Sequence, residues 1–130
     1  RLNNVSWSDL LNMLFLKKLM RPYVRKLLMN KEKVLNLLGL AHRAGKVVSG
    51  DFVVEKAIKA KTVTLLLLAS DAAKNNEDKF INLADKLSIP VKRVATKEEL
   101  GSAIGKEMRV VIGITDDGFG KPIIQLINQE

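Results

Sequence analysis

Seven successive uncharged residues, Val63-Thr64-Leu65-Leu66-Leu67-Leu68-Ala69, constrain this chain more than any other feature. The run is of strand length, rich in β-branched residues and leucine, and bounded by Ser70-Asp71. Neighbouring side chains of a strand point to opposite faces of the sheet, so a strand apolar at every position needs cover on both faces. The run therefore predicts a central strand with a layer of helices on each side.

The flanking sequence supplies those helices. Val34, Leu37, Leu38 and Ala41 follow an i, i+3, i+4, i+7 rule, and Gly45 marks the stop of a first helix. Residues 46–49 read as a short strand. Gly50 opens a second helix with Val54, Ala57 and Ile58 inward and Glu55 and Lys59 outward. A third helix is expected from Asn75 or Asn76, burying Phe80, Leu83, Ala84 and Leu87 before Ile89-Pro90 ends it. A strand over 91–95 follows. Thr96-Lys97-Glu98-Glu99 has capping-box spacing for a helix running to Gly105, and 109–115 is the last strand. Asp116-Asp117-Gly118 is a turn into a final helix, with Phe119, Ile123, Leu126 and Ile127 inward and Pro122 in its first turn. Five helices alternating with four strands imply an α/β fold, a three-layer α/β/α sandwich around a central mixed four-stranded sheet.

Length and composition narrow the class. One hundred and thirty residues suit one ordinary domain, and 47% hydrophobic against 28% charged residues is a globular balance. The absence of cysteine excludes disulfides and thiolate metal sites, and with His42 as the single histidine no metal or cofactor is expected. A reducing, cytoplasmic setting fits. The apolar run over 10–16, broken by Asn12, is far short of the roughly 20 residues of a bilayer span. The formal charge of +8 is uneven: residues 1–28 hold six Lys/Arg and one Asp, +5, leaving 16 against 13, +3, for the rest. Residues 1–28 read as a basic amphipathic leader, added or translated from upstream, and residues 29–130 as the domain. Within the leader, Leu10, Leu11, Leu14 and Phe15 suggest a helix from a Ser8 or Asp9 cap to just before Pro22.

Catalytic motifs are missing. Gly101-Ser102-Ala103-Ile104-Gly105-Lys106 is one residue short of a phosphate loop, and Glu107 stands where a magnesium-binding hydroxyl belongs. Gly118-Phe119-Gly120 lacks a third glycine and precedes the last helix, so turn glycines explain both. His42 has no serine or carboxylate at a telling spacing, and Asp116-Asp117 reads as a turn and helix cap. No enzyme is expected. Basic residues do gather beside glycine-marked turns: Arg43 and Lys46 around Gly45, Lys56 and Lys59 on the second helix, Lys106 and Arg109 around Gly105. By charge alone a solvated face explains each of them.

The order of motifs is more specific. Leu38-Gly39-Leu40-Ala41-His42-Arg43-Ala44-Gly45-Lys46-Val47-Val48-Ser49-Gly50, then Lys56-Ala57-Ile58, Ala69-Ser70-Asp71-Ala72, Ile89-Pro90-Val91, Leu100-Gly101 and Gly105-Lys106 before Arg109-Val110 resemble the ribosomal L-seven-Ae / L-thirty-e superfamily, in its bacterial YlxQ-type branch. The resemblance implies the sandwich already read from the pattern and a role in binding kink-turn RNA, a helix bent at a bulge beside tandem sheared G·A pairs. It implies a first contact segment at Ser49, Gly50 and Asp51, where helix amides and a glycine admit an RNA backbone, with Lys46 and Lys56 on phosphates or guanine edges. The second would be the 105–110 loop, where Met108 or Val110 packs on an unstacked base while Lys106 and Arg109 hold the backbone. Core packing is the alternative for Met108. The resemblance also puts Phe52 and Val53 where kink-turn binders usually carry Asn and Glu. Expected partners are thus structured RNA, ribosomal or otherwise kink-turn-containing, without DNA or membrane, and with room for a protein partner in a ribonucleoprotein. Two rival readings are a protein-interaction module on the same fold, favoured if Phe52 and Val53 are exposed and the cations scattered, and a small-ligand enzyme, favoured by a deep pocket with convergent carboxylates.

Overall fold

The computed structural model describes residues 22–128, with side chains from Asn30 onward. The helix expected within the leader lies outside the described residues. The described elements alternate: α1 (Pro22–Arg43), β1 (Val47–Ser49), α2 (Asp51–Lys59), β2 (Leu65–Leu68), α3 (Lys74–Lys86), β3 (Val91–Lys92), α4 (Lys97–Ala103), β4 (Val111–Ile114) and α5 (Asp117–Asn128). The sheet is mixed, in the order β1-β4-β2-β3. β4 lies antiparallel to both β1 and β2, while β3 runs parallel to β2.

β2 shows why the leucine run dictates three layers. Leu65 and Leu67 enter one core with Val34 and Leu38 of α1, Leu100 of α4 and Ile123 of α5. Leu66 and Leu68 enter a second core with Val54 and Ile58 of α2 and Phe80 and Ala84 of α3. All four leucines are fully buried, and β4 is buried along its whole length beside them. Truncating any of the four to alanine removes about 2–5 kcal/mol.

Four helices end in the same way. At α1, α2, α3 and α4 the second residue past the cap donates its N–H back to a carbonyl in the last turn: Lys46 to Ala41, Thr62 to Ala57, Ile89 to Ala84 and Lys106 to Gly101, at 2.9–3.1 Å. This Schellman arrangement needs a left-handed residue just before the donor. Gly45 and Gly105 supply it without strain, whereas Lys61 and Ser88 adopt positive φ as non-glycine residues. The capping box at α4 forms as expected: Thr96 Oγ1 accepts from Glu99 N, and Glu99 Oε1 accepts from Thr96 N. Asp116 Oδ1 accepts from Gly118 N at 2.8 Å, the turn and cap expected of the Asp116-Asp117 pair.

Several expectations are corrected. The first helix starts at Pro22, not near Val34, and runs unbroken past residue 28; proline tolerates a first-turn position because no intrahelical bond needs its nitrogen there. Buried Asn30 donates from Nδ2 to the Leu126 carbonyl and Lys31 pairs with Glu99 at 2.7 Å, tying this helix to α5 and α4. Leu87 is exposed, because α3 ends at Lys86 and helical periodicity stops with the helix. The strand expected over 91–95 keeps two residues, since β3 is an edge with β2 as its one neighbour. Pro122 lies in the second turn of α5, where the Gly118 carbonyl it leaves without a donor belongs to an exposed residue. Gly101 is not a turn glycine: it sits inside α4, buried.

Candidate nucleic-acid interface

Two chain segments meet at one end of the sheet. β1 runs antiparallel to β4, with Ser49 opposite Ile112. One residue further, Gly50 N donates to the Val111 carbonyl at 3.4 Å. The start of α2 is thereby fixed against the point where the 105–110 loop enters β4. Gly50 is the N-cap of α2 at φ 93 and ψ 145, a region that side-chain-bearing residues avoid, with open space where a Cβ would stand. Ser49 is half-buried and Asp51 exposed in the first turn of α2.

The second segment is held by α4. A Cβ on Gly101 would stand 1.7 Å from the Glu107 carbonyl oxygen and 3.1 Å from Met108 Cα, so the loop backbone lies directly on the helix. Lys106 N–Gly101 O at 2.9 Å and Arg109 N–Lys97 O at 3.0 Å fasten it at two points. Met108 is 63% exposed, which rules out the core reading of its side chain. Val110 is half-buried against the α2–α3 core, and its carbonyl accepts from Ala69 N. Arg109 Nη1 donates to the Met108 carbonyl at 3.1 Å.

Charges sort the candidate cations. Lys56 is exposed on α2, and neither it nor Lys106, Arg109 or Arg43 makes an ion pair with any described residue. Lys59, two turns from the start of α2, pairs with Glu55 at 3.6 Å; Glu55 also takes Lys79 at 3.2 Å. The Lys79 hydrogen bond, with Lys59 adding to it, holds the Glu55 carboxyl below its ordinary range. Lys46 lies at the opposite end of β1 from Gly50, about 13 Å away along a strand. There its carbonyl accepts from Thr115 N and its ammonium faces Asp116 at 4.0 Å. Arg43 borders an open groove of about 730 Å³ between α1 and α4, with Leu40, Glu98 and Ser102. Lys106 and Met108 border the adjoining groove, which shares Glu98 and Ser102.

The structure thus brings the start of α2, with Ser49, Gly50, Asp51, Phe52 and Lys56, against the Val110–Val111 end of the loop, with Arg109 next along the chain and Met108 bordering the α4-side groove. Lys106 stands on the α4 side of the loop, and Lys46, Lys59 and Arg43 lie apart. Sequence reasoning missed Gly101, the residue on which the loop rests. Its signal was a glycine in the middle of a capped helix, where glycine costs about 1 kcal/mol against alanine without a packing reason.

A family model fits this architecture. The ribosomal protein L7Ae/L30e/S12e/Gadd45 family model matches residues 32–124, from α1 into α5. The chain belongs to this family. Among family relatives, the RNA-binding protein YlxQ of Bacillus subtilis (strain 168) is 44% identical over 92 residues, covering 71% of this chain and 92% of that protein. The RNA-binding protein YlxQ of Enterococcus faecium is 34% identical over 98 residues, 75% of this chain and 94% of that one. These similarities place the chain in the YlxQ-type branch. A solved structure of a Bacillus halodurans protein of unknown function superposes with a TM-score of 0.72 at 43% identity, over 75% of this chain and 98% of that one. The Giardia lamblia 15.5kD RNA binding protein shares the fold alone, with a TM-score of 0.65 at 18% identity over 78% of this chain and 87% of that one. Family membership sets the chain among non-enzymatic proteins. Among the described residues no helix is long and apolar enough to cross a membrane.

Proposed function

We propose that this protein is a non-catalytic RNA-binding protein that takes a kinked, kink-turn-like RNA between the start of α2 and the 105–110 loop. The observation that carries the reading is the Gly50–Val111 backbone bond. It sets two exposed segments side by side, each with a cation that no described acid neutralises, Lys56 on one and Arg109 on the other. A sharply bent RNA offers two backbones and splayed bases at its kink, and two adjacent protein segments suit that shape better than a flat basic face does. The YlxQ relatives support the RNA class of the ligand by their names. Ser49 and Gly50 allow close approach, Lys56 and Arg109 meet phosphates, and Lys106 reaches the flanking backbone.

The test is a titration of the protein with a kink-turn RNA and with the same RNA whose sheared G·A pairs are made Watson–Crick, at several salt concentrations. Tighter binding to the kinked form, weakened by Lys56→Ala and by Arg109→Ala but much less by Lys46→Ala, is the expected result. Equal, steeply salt-dependent binding to both RNAs would reduce the site to a non-specific basic surface. One observation favours a second reading: Phe52 and Val53 are exposed, as a protein contact would have them. Absence of binding to either RNA would leave that reading in place.

A further inference from the structure

The α2 face that looks outward carries an aromatic ring and a cation in register. Val54 and Ile58 are fully buried and define the inner face of the helix. Phe52 and Lys56 are four residues apart on the other side, neighbours separated by about 6 Å along the axis. Phe52 is 78% exposed, whereas Phe80 is fully buried and Phe119 half-buried against the core. No packing role in the described fold accounts for an exposed phenyl ring at the first turn of a helix. Val53, 50% exposed, adjoins Phe52 in the chain, and Met108, 63% exposed, lies on the segment whose end the Gly50–Val111 bond joins to α2.

We infer that Phe52 is a stacking platform for one unpaired nucleobase of the bound RNA, with Lys56 holding the phosphate beside that base. The inference rests on the RNA-binding reading and names what this part of the site recognises. A phenyl ring has no hydrogen-bonding group with which to read a base edge, but it offers a flat apolar face that accepts any base. An ammonium one helical turn away, free of any described acid, suits the phosphate attached to the same nucleotide. A protein partner would find the same ring, but it would then meet Lys56 and Arg109, neither paired with any described acid, on a domain whose residues 29–130 still carry a formal +3; that balance favours a polyanion. The recognition at Phe52 is tolerant of base identity and demands an unstacked base.

The experiment uses the full chain and a kink-turn RNA in which each bulge nucleotide is replaced in turn by an abasic residue. Phe52→Ala, Phe52→Leu and Phe52→Tyr are compared with the unaltered protein, with thermal melts to show that removing so exposed a side chain leaves the fold intact. Expected are a roughly 5- to 150-fold weaker Kd for Phe52→Ala on intact RNA, a similar loss for Phe52→Leu, and Phe52→Tyr within about twofold of the unaltered chain. On one abasic RNA the difference between the unaltered protein and Phe52→Ala should vanish, because the base that the ring holds is gone. Equal affinity of Phe52→Ala, full activity of Phe52→Leu, or the same loss on every abasic RNA overturns the stacking role while RNA binding itself stands. A Phe52→Ala chain that binds RNA normally but dissociates from dimer to monomer in sedimentation overturns it in favour of a protein contact. An unaltered protein that binds no RNA removes this inference and the proposed function together.

Discussion

Gly101→Ala tests how the 105–110 loop is supported. An alanine Cβ would stand 1.7 Å from the Glu107 carbonyl oxygen and 2.6 Å from its carbon, both backbone atoms without a rotamer to yield. Moving that oxygen from 1.7 Å to the 3.0 Å that real Cβ contacts require shifts the loop by about 1.3 Å. Such a shift breaks the Lys106 N–Gly101 O bond and strains Arg109 N–Lys97 O. Overpacking of this kind costs about 1–3 kcal/mol and each lost hydrogen bond about 0.5–1.5 kcal/mol, against about 1 kcal/mol of helix propensity gained by alanine. The expected net is about 0.5–3.5 kcal/mol of destabilisation, centred near 2, read as a lower urea midpoint with unchanged slope. Gly39→Ala is the control: its Cβ would meet the Ala103 carbonyl at 3.0 Å, which a few tenths of an ångström relieve, so its stability should stay within about 1 kcal/mol of the parent. Under conditions where both variants are folded, Gly101→Ala alone should lose RNA affinity, because the displaced segment carries Met108 and Arg109. A Gly101→Ala protein as stable as its parent, or more so, would refute the argument that the loop backbone bears on α4.

Two further outcomes follow from the helix ends and the paired carboxylates. Lys61→Gly and Ser88→Gly should each raise stability by about 0.5–1 kcal/mol in chemical denaturation, since both positions have positive φ that glycine adopts freely. Acidification should destabilise the protein through Glu99 and Glu55. The hydrogen bond and charge of Lys31, with the Thr96 amide, hold Glu99 below its ordinary range, and Lys79, then Lys59, do the same for Glu55. A carboxyl that gives up its proton more readily when folded contributes its full stabilisation above the ordinary glutamate range and loses it as pH falls through the lowered folded value. Urea midpoints measured from neutral pH down to about 3 should therefore fall less steeply for Glu99→Gln than for the parent.

What was legible in the sequence was whatever depends on near neighbours along the chain. The leucine run of β2, the Thr96–Glu99 box and the Asp116 cap follow from alternation and short spacings, and each forms. The inward positions of α2 and α3 follow too, up to Leu87, where the pattern outlasts the helix that gives it meaning. What was hidden is contact between distant segments. Nothing near Gly101 announces that Glu107 folds back onto it, and the left-handed conformations of Lys61 and Ser88 serve a bond pattern that glycine would have signalled. The site divides in the same way. Ser49, Gly50 and Asp51 adjoin one another in the chain, but only the antiparallel pairing of β1 with β4 decides that Gly50 meets Val111 while Lys46 meets Thr115 at the far end. A strand of three residues is enough to separate cations that look clustered in sequence.

The brevity of the outer strands limits how anything can join this molecule. β1 has three residues and β3 two, and they flank the four-residue β2 and β4 in the middle of the sheet. An edge so short offers an incoming strand only a rung or two of backbone hydrogen bonds, too little to template a further strand. Extension of the sheet by a peptide, or by a second copy of the chain, is thereby discouraged, and the fold can work at high local concentration without zipping into a continuous sheet. Molecules that engage it are directed to helix faces and loop ends instead, surfaces read through side chains and free to vary without disturbing the strand pairing beneath.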